Sequence, residues 1–166
     1  MSLSSCNLLH NPSFETGSLS PWFTTVPNVN IATVTNATTA YEGNYYLDLK
    51  TDVGNRGHSI AQPITELKRG AVYEFTAHVK IPGSSGVEYC FVDAYIGKNA
   101  TTGLIVSELL MPTDEWATVS GQYKRTKRRA EDVLTISGAC TSPGSSYTWN
   151  VYLDEVILKE KGCVEE

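Results

Sequence analysis

The sequence predicts an all-β fold, a sandwich or barrel of about ten short strands. Three observations predict it. Apolar residues recur at period two in short segments, and nowhere at a helical period. Gly, Pro, Asn and Asp punctuate those segments every 8–12 residues or so. The composition is rich in Thr, Ser, Val and Tyr and includes 13 glycines, a usage that suits pleated strands and tight turns.

Taken in order, Leu8-Leu9 is expected to form a short first strand. Asn11-Pro12 closes it with a turn, because a residue before proline is pushed out of the helical region. Phe14 follows as a buried plug, with Glu15 beside it. An acid next to a core aromatic is costly unless something pairs with it. Trp22, in the loop 19–22, is read as folded over the core edge. Strands are expected at residues 30–34, 45–50 and 59–64, and Pro63 in the last marks an edge or an irregularity. The loop 52–57 carries Arg56.

Residues 73–82 give the clearest strand, with Tyr73, Phe75, Ala77, Val79 and Ile81 on one face and Glu74, Thr76, His78 and Lys80 on the other. In the strand 87–97, an inward Cys90 puts Tyr89, Phe91, Asp93 and Tyr95 together on the opposite face. That face is expected to neighbour His78. Further strands are expected at 104–111, 116–123 and 133–140. The last strand, 149–158, reads V-Y-L-D-E-V-I-L from Val151 and is broken by Asp154-Glu155.

The chain has 166 residues and a net charge of −5. That length suits one domain, expected over residues 4–166, and the mildly acidic balance gives no reason to expect nucleic acid as a partner. No apolar run approaches membrane-spanning length, so no membrane partner is expected. Met1-Ser2-Leu3 reads as an expression scar ahead of a mature start.

Four cysteines without a C-x-x-C pair favour disulfides over zinc, and allow three connectivities. Cys6–Cys163 is favoured, because these residues flank the two terminal strands expected to lie side by side. Cys90–Cys140 then staples two internal strands. Asn36-Ala37-Thr38 and Asn99-Ala100-Thr101 are N-glycosylation acceptors, in keeping with secretion. The basic run at 124–129, K-R-T-K-R-R, is a candidate for binding an acidic polysaccharide. The adjacent Glu131-Asp132 pair offsets it, and a solvated hairpin is the favoured reading.

Several segments, in order along nearly the whole chain, carry a resemblance to a known family. They are N-L-L-H-N-P-S-F-E from Asn7, Gly43 with Tyr46-Leu47, and Gly70 with Tyr73 to Ala77. Trp116 with Val119-Ser120-Gly121 and Tyr152-Leu153-Asp154-Glu155-Val156 complete the set. Together they resemble the pooled carbohydrate-binding modules of groups 4, 9 and 22, with the cysteine and lysine content of a fungal secreted variant. The resemblance implies a galactose-binding-domain-like β-sandwich jelly roll of two antiparallel sheets. It also implies a structural calcium near the joined termini. Glu15 and Asp154 would supply carboxylate oxygens, and main-chain carbonyls near Ser13 and Lys50 would complete a shell of about six to eight oxygens.

A sugar site needs aromatic faces and polar groups that read hydroxyls. The expected concave face offers His78, Tyr89, Phe91, Asp93 and Tyr95, with Gln122, Arg56 and Trp149 on its rim; Trp116 is assigned to packing. The leading expectation is a secreted, non-catalytic carbohydrate-binding domain, belonging to a larger wall-degrading enzyme or standing free in a cell wall. An adhesive domain without sugar binding is the alternative. A small glycan hydrolase or lyase is weaker: it would need Asp93 to face Glu74 or Glu88, and Glu88 lies at opposite strand parity.

Overall fold

A computed structural model describes residues 5–25, 30–51, 58–83, 86–141 and 149–165. These residues contain ten strands: β1 (Phe23–Thr24), β2 (Asn30–Thr35), β3 (Tyr46–Thr51), β4 (His58–Ile64), β5 (Val72–Lys80), β6 (Tyr89–Ile96), β7 (Leu104–Leu110), β8 (Ala117–Lys124), β9 (Asp132–Thr141) and β10 (Trp149–Glu160). They form two antiparallel five-stranded sheets, ordered β1-β4-β9-β6-β7 and β2-β3-β10-β5-β8. The architecture is a β-sandwich jelly roll. Arg56 lies outside the described residues.

Alternation in sequence sets which side chains meet between the sheets. In β5, Tyr73, Phe75, Ala77 and Val79 are buried, and Ile81 continues the row. β6 sends in Cys90, Val92, Ala94 and Ile96, while β9 sends in Leu134 and Ile136. Each fully buried Phe, Leu or Ile of this core stabilises the fold by about 2 kcal/mol. At the β7–β8 edge the sheets come so close that a Cβ on Gly121 would overlap the Ile105 carbonyl. Glycine is required there by contact with backbone.

The ends of the chain meet, though not as two paired strands. Leu8-Leu9 is irregular. In place of a ladder, the Asn7 side chain donates to the Val156 carbonyl at 3.0 Å and accepts from Leu158 N–H at 3.0 Å. Leu8 N–H donates to the Leu158 carbonyl at 2.8 Å. On the other side the buried Gln62 amide exchanges two hydrogen bonds with the His10 main chain, at 2.7 and 2.9 Å. The N-terminal segment is therefore tied to both sheets. Phe14 is fully buried, as is Trp22, whose indole N–H donates to the Asn11 carbonyl.

Both disulfides form as expected, Cys6–Cys163 and Cys90–Cys140. The second joins directly opposed residues of β6 and β9. β10 is not broken at Asp154-Glu155. A bulge there shifts its register against β5, with Glu155 at φ 41°. The extra residue lets Leu153 and Val156 both point into the core while Asp154 turns to the other side of the sheet, where the Glu42 main chain covers it.

Candidate functional site

The outer face of the β1-β4-β9-β6-β7 sheet is built from strand parity and register. Because Cys90, Val92, Ala94 and Ile96 point inward, Tyr89, Phe91, Asp93 and Tyr95 point out. Register then carries rows across the sheet. Phe23, Ala61, Thr135, Tyr95 and Leu104 form one row. Two small residues thus separate the flanking rings of Phe23 and Tyr95 by three strand spacings, about 14 Å. The next row is polar: Ser59, Ser137, Asp93 and Ser107. The row after it places Ala139 beside Phe91 and Leu109. Phe23, Phe91, Leu104 and Leu109 are all exposed.

A groove of about 630 Å³ lies over the first row, floored by Phe23, Ala61, Pro63, Tyr95, Val133 and Thr135. Lys98, Arg129, Glu131 and Asp132 stand at one end of it. In the polar row, Asp93 Oδ1 is buried with no hydrogen-bond partner among the described residues. A shielded carboxylate oxygen without a donor is costly unless a ligand or water supplies one. The face therefore combines aromatic rings, a trough of small side chains and an acceptor still awaiting a donor.

The outer face of the other sheet is different. Residues 38–42 fold over it. Thr38 donates its hydroxyl to Tyr46 Oη at 2.8 Å, and Trp116 Nε1 donates to the Thr39 carbonyl at 3.3 Å. The Tyr41 ring stacks on His78, centroids 3.6 Å apart. Lys80 Nζ sits over both Trp116 and Tyr152. Residues 38–42 thus cover the part of this face that holds Tyr46, His78 and Asp154, while Thr118, Ser120 and Gln122 along β8 stay exposed.

The structure therefore divides the expected sugar residues. Tyr89, Phe91, Asp93 and Tyr95 share one face. His78 does not join them, since β5 lies in the opposite sheet. Gln122, on β8, faces away from the groove on that same second sheet. Trp149 does not line a rim: it is 3 % exposed and belongs to the core, at the parity of Val151 and Leu153. Phe23, Ser59, Ala61, Thr135 and Ser137 are additional members that sequence did not single out. Of the two candidate partner carboxylates for Asp93, Glu74 lies in the opposite sheet, and Glu88 is not on the face.

At the joined termini, Glu15 and Asp154 approach the loop containing Gly43. Glu15 Oε1 accepts from Asn44 and Tyr45 N–H, each at 3.0 Å. A Cβ on Gly43, where φ is 66°, would collide with the Glu15 carboxylate. Asp154 is fully buried and accepts from Glu42 and Glu155 N–H at 3.0 and 2.8 Å. Burial pushes its carboxyl up to about 6 against those donors, and the charge of Glu15 adds to the rise. Burial, with the neighbouring Glu42, pushes Glu155 up to about 7.

Among the described residues neither Glu15 nor Asp154 has an ion-pair partner. Two carboxylates that feel each other without a counter-cation fit a hard divalent ion. No three acidic, histidine or cysteine side chains converge among the described residues, so main-chain oxygens would have to complete a shell. Ser13 adjoins Pro12, whose carbonyl accepts from Val156 N–H, so it lies beside this region. Lys50 pairs with Asn150, four positions along β10 from Asp154 and about 13 Å away. Its carbonyl is not brought to the carboxylates.

Comparison with known proteins bears on the fold and the family. A search of curated proteins returns no match. The C-terminal family 22 carbohydrate binding module of Clostridium thermocellum Xyn10B superposes with a TM-score of 0.68 at 18 % identity, covering 99 % of this chain and 100 % of that one. TmCBM61, solved with β-1,4-galactotriose, gives 0.64 at 21 % identity, covering 95 % and 100 %. The MgGH51 α-L-arabinofuranosidase gives 0.68 at 12 % identity, but the match covers only 26 % of that chain and 93 % of this one. These likenesses establish the fold. A family model described as a carbohydrate binding domain matches residues 6–153. The chain is a member of the carbohydrate binding domain family.

Proposed function

We propose that the protein is a secreted, non-catalytic module that binds a polysaccharide or oligosaccharide across the outer face of the β1-β4-β9-β6-β7 sheet. The observation that carries this reading is the row from Phe23 to Tyr95 beside the unpartnered Asp93 Oδ1. Aromatic rings stack on the C–H faces of a sugar, the polar row of Ser59, Ser137, Asp93 and Ser107 meets its hydroxyls, and the small residues between leave room for the ring. Tyr89 and Phe91 extend the platform. Membership of the carbohydrate binding domain family supports binding without turnover. Two disulfides and exposed acceptors at Asn36 and Asn99 support a glycosylated extracellular protein. The family, and matched structures in which such a module is part of a longer chain, support one module, residues 4–166, within a larger polypeptide.

Wild-type protein applied to a panel of soluble and insoluble polysaccharides should bind at least one of them. Tyr95→Ala should weaken that binding about tenfold or more, with its melting midpoint unchanged, since loss of one stacking ring costs roughly 1–3 kcal/mol. Binding that survives Tyr95→Ala intact would exclude this face.

Calcium is part of the proposal. Glu15 and Asp154 would hold it, and bound there it would neutralise two carboxylates and lock the Gly43 loop against the terminal segments. The expected result is a higher melting midpoint in millimolar calcium than in chelator, because an ion that binds only the folded state stabilises it by mass action. An unchanged midpoint would remove calcium from the account.

A further inference from the structure

The groove has a cationic end, and we infer that the ligand is an acidic glycan whose uronic-acid carboxylate docks between Lys98 and Arg129. This rests on the sugar-binding reading of the same face. Both side chains line the groove and both are exposed. Neither has an ion-pair partner among the described residues. Lys127 lines a neighbouring hollow with Gln122 and Tyr123, and its charge already acts on Asp132. Of the two lining carboxylates, Asp132 is already bound to Arg125 at 2.7 Å, leaving Glu131 as the one uncommitted acid. Two free cations against one free carboxylate make this end positive, although the protein as a whole carries −5. Salt screens that overall charge beyond about 8 Å, whereas a docked carboxylate feels the local cations. Asp93, the acceptor in the polar row, stands five residues from Lys98, about 16 Å along the strand direction. It reads hydroxyls, not the acid group.

The cations are also held in place from below. Arg125 is fully buried within the basic run, and its Nη2 donates to the Arg129 carbonyl at 2.8 Å. The backbone carrying Arg129 is thereby pinned. On the facing wall, Gly97 N–H donates to the Val133 carbonyl at 2.9 Å, fixing the backbone just before Lys98. A pre-set pair of cations loses less freedom on binding than two lysines on a free loop. A guanidinium also matches a carboxylate with two parallel hydrogen bonds.

The test is a glycan panel holding uronate-bearing oligosaccharides (glucuronate, galacturonate, mannuronate and guluronate types), their carboxyl-reduced counterparts and neutral glucans, xylans and galactans. Wild type, the Lys98→Ala/Arg129→Ala double variant and Tyr95→Ala are compared. Wild type should bind a uronate-bearing member, lose it on carboxyl reduction, and bind it more weakly as salt rises. The double variant should bind that glycan about ten- to a hundredfold more weakly, the range expected for charge-assisted hydrogen bonds, and keep the wild-type melting midpoint. Arg129→Lys should recover part of the loss. If wild type binds only neutral glycans, or its acidic ligand is indifferent to the double variant, the inference is overturned. Sensitivity of that binding to Tyr95→Ala would then leave the sugar-binding reading standing. Failure of wild type to bind any member overturns both.

Discussion

Replacing Cys6 and Cys163 with serine is expected to lower stability by up to about 5 kcal/mol. The bridge spans 157 residues, and closing a loop of that length removes about this much chain entropy from the unfolded state. The native contacts it guards are few. The N-terminal segment is irregular and rests on the Asn7 and Leu8 hydrogen bonds to β10, on Gln62, and on Phe14 and Trp22. Without the bridge these contacts must hold the ends together alone. Urea melts of the double-serine variant should show a midpoint well below wild type. The loss should be at least as large as that from opening Cys90–Cys140, which closes a shorter loop of separation 50. A change below about 1 kcal/mol would show that the termini are held by packing and hydrogen bonds instead.

Arg125→Ala should cost about 3 kcal/mol, the low end for breaking a buried ion pair, because Asp132 remains partly exposed. The guanidinium donates to Tyr123 Oη, to Asp132 and to the Arg129 carbonyl, at 3.1, 2.7 and 2.8 Å. Alanine leaves all three without that donor. The pH dependence has a definite sign. Burial pushes the Asp132 carboxyl up, but the Arg125 hydrogen bond and charge outweigh it and hold the group below its ordinary value. The pair's contribution is thus present above the unfolded carboxyl's range near pH 4 and is lost as pH falls through the lower folded value. The gap between wild type and Arg125→Ala should be full at pH 7 and should narrow in acid. A gap that stayed constant, or widened, below pH 4 would contradict this role. Because the same side chain pins Arg129, the variant should also bind an acidic glycan less tightly.

Much of the fold was legible because it rests on local pattern. The alternation of Tyr73, Phe75, Ala77, Val79 and Ile81 declares a half-buried strand without help from any other element. Cys6 and Cys163 bracket the chain, so their pairing followed from neighbouring ends. The parity of β6 put Tyr89, Phe91, Asp93 and Tyr95 on one side as soon as Cys90 was taken inward. The failures came where the answer is set by register and crossover. β5 and β6 are consecutive, and taking them as neighbours drew His78 onto the wrong sheet; in a jelly roll the chain crosses between layers at that point. Phe23 sits in a two-residue strand too short for any period, and Ser59, Ala61, Thr135 and Ser137 matter only through the strands beside them. Trp149 carried a readable signal, since it shares parity with Val151 and Leu153, both inward. The basic run looked solvated because charge alone does not distinguish buried Arg125 from its exposed neighbours.

The measurement that bears most directly on the site is amide chemical-shift mapping during titration with a glycan the protein binds. The largest changes should fall on Ala61, Asp93, Tyr95 and Thr135, at the centre of the open sheet face. Changes gathered instead around Tyr41, Trp116 and Tyr152, on the other sheet, would contradict the proposed binding face.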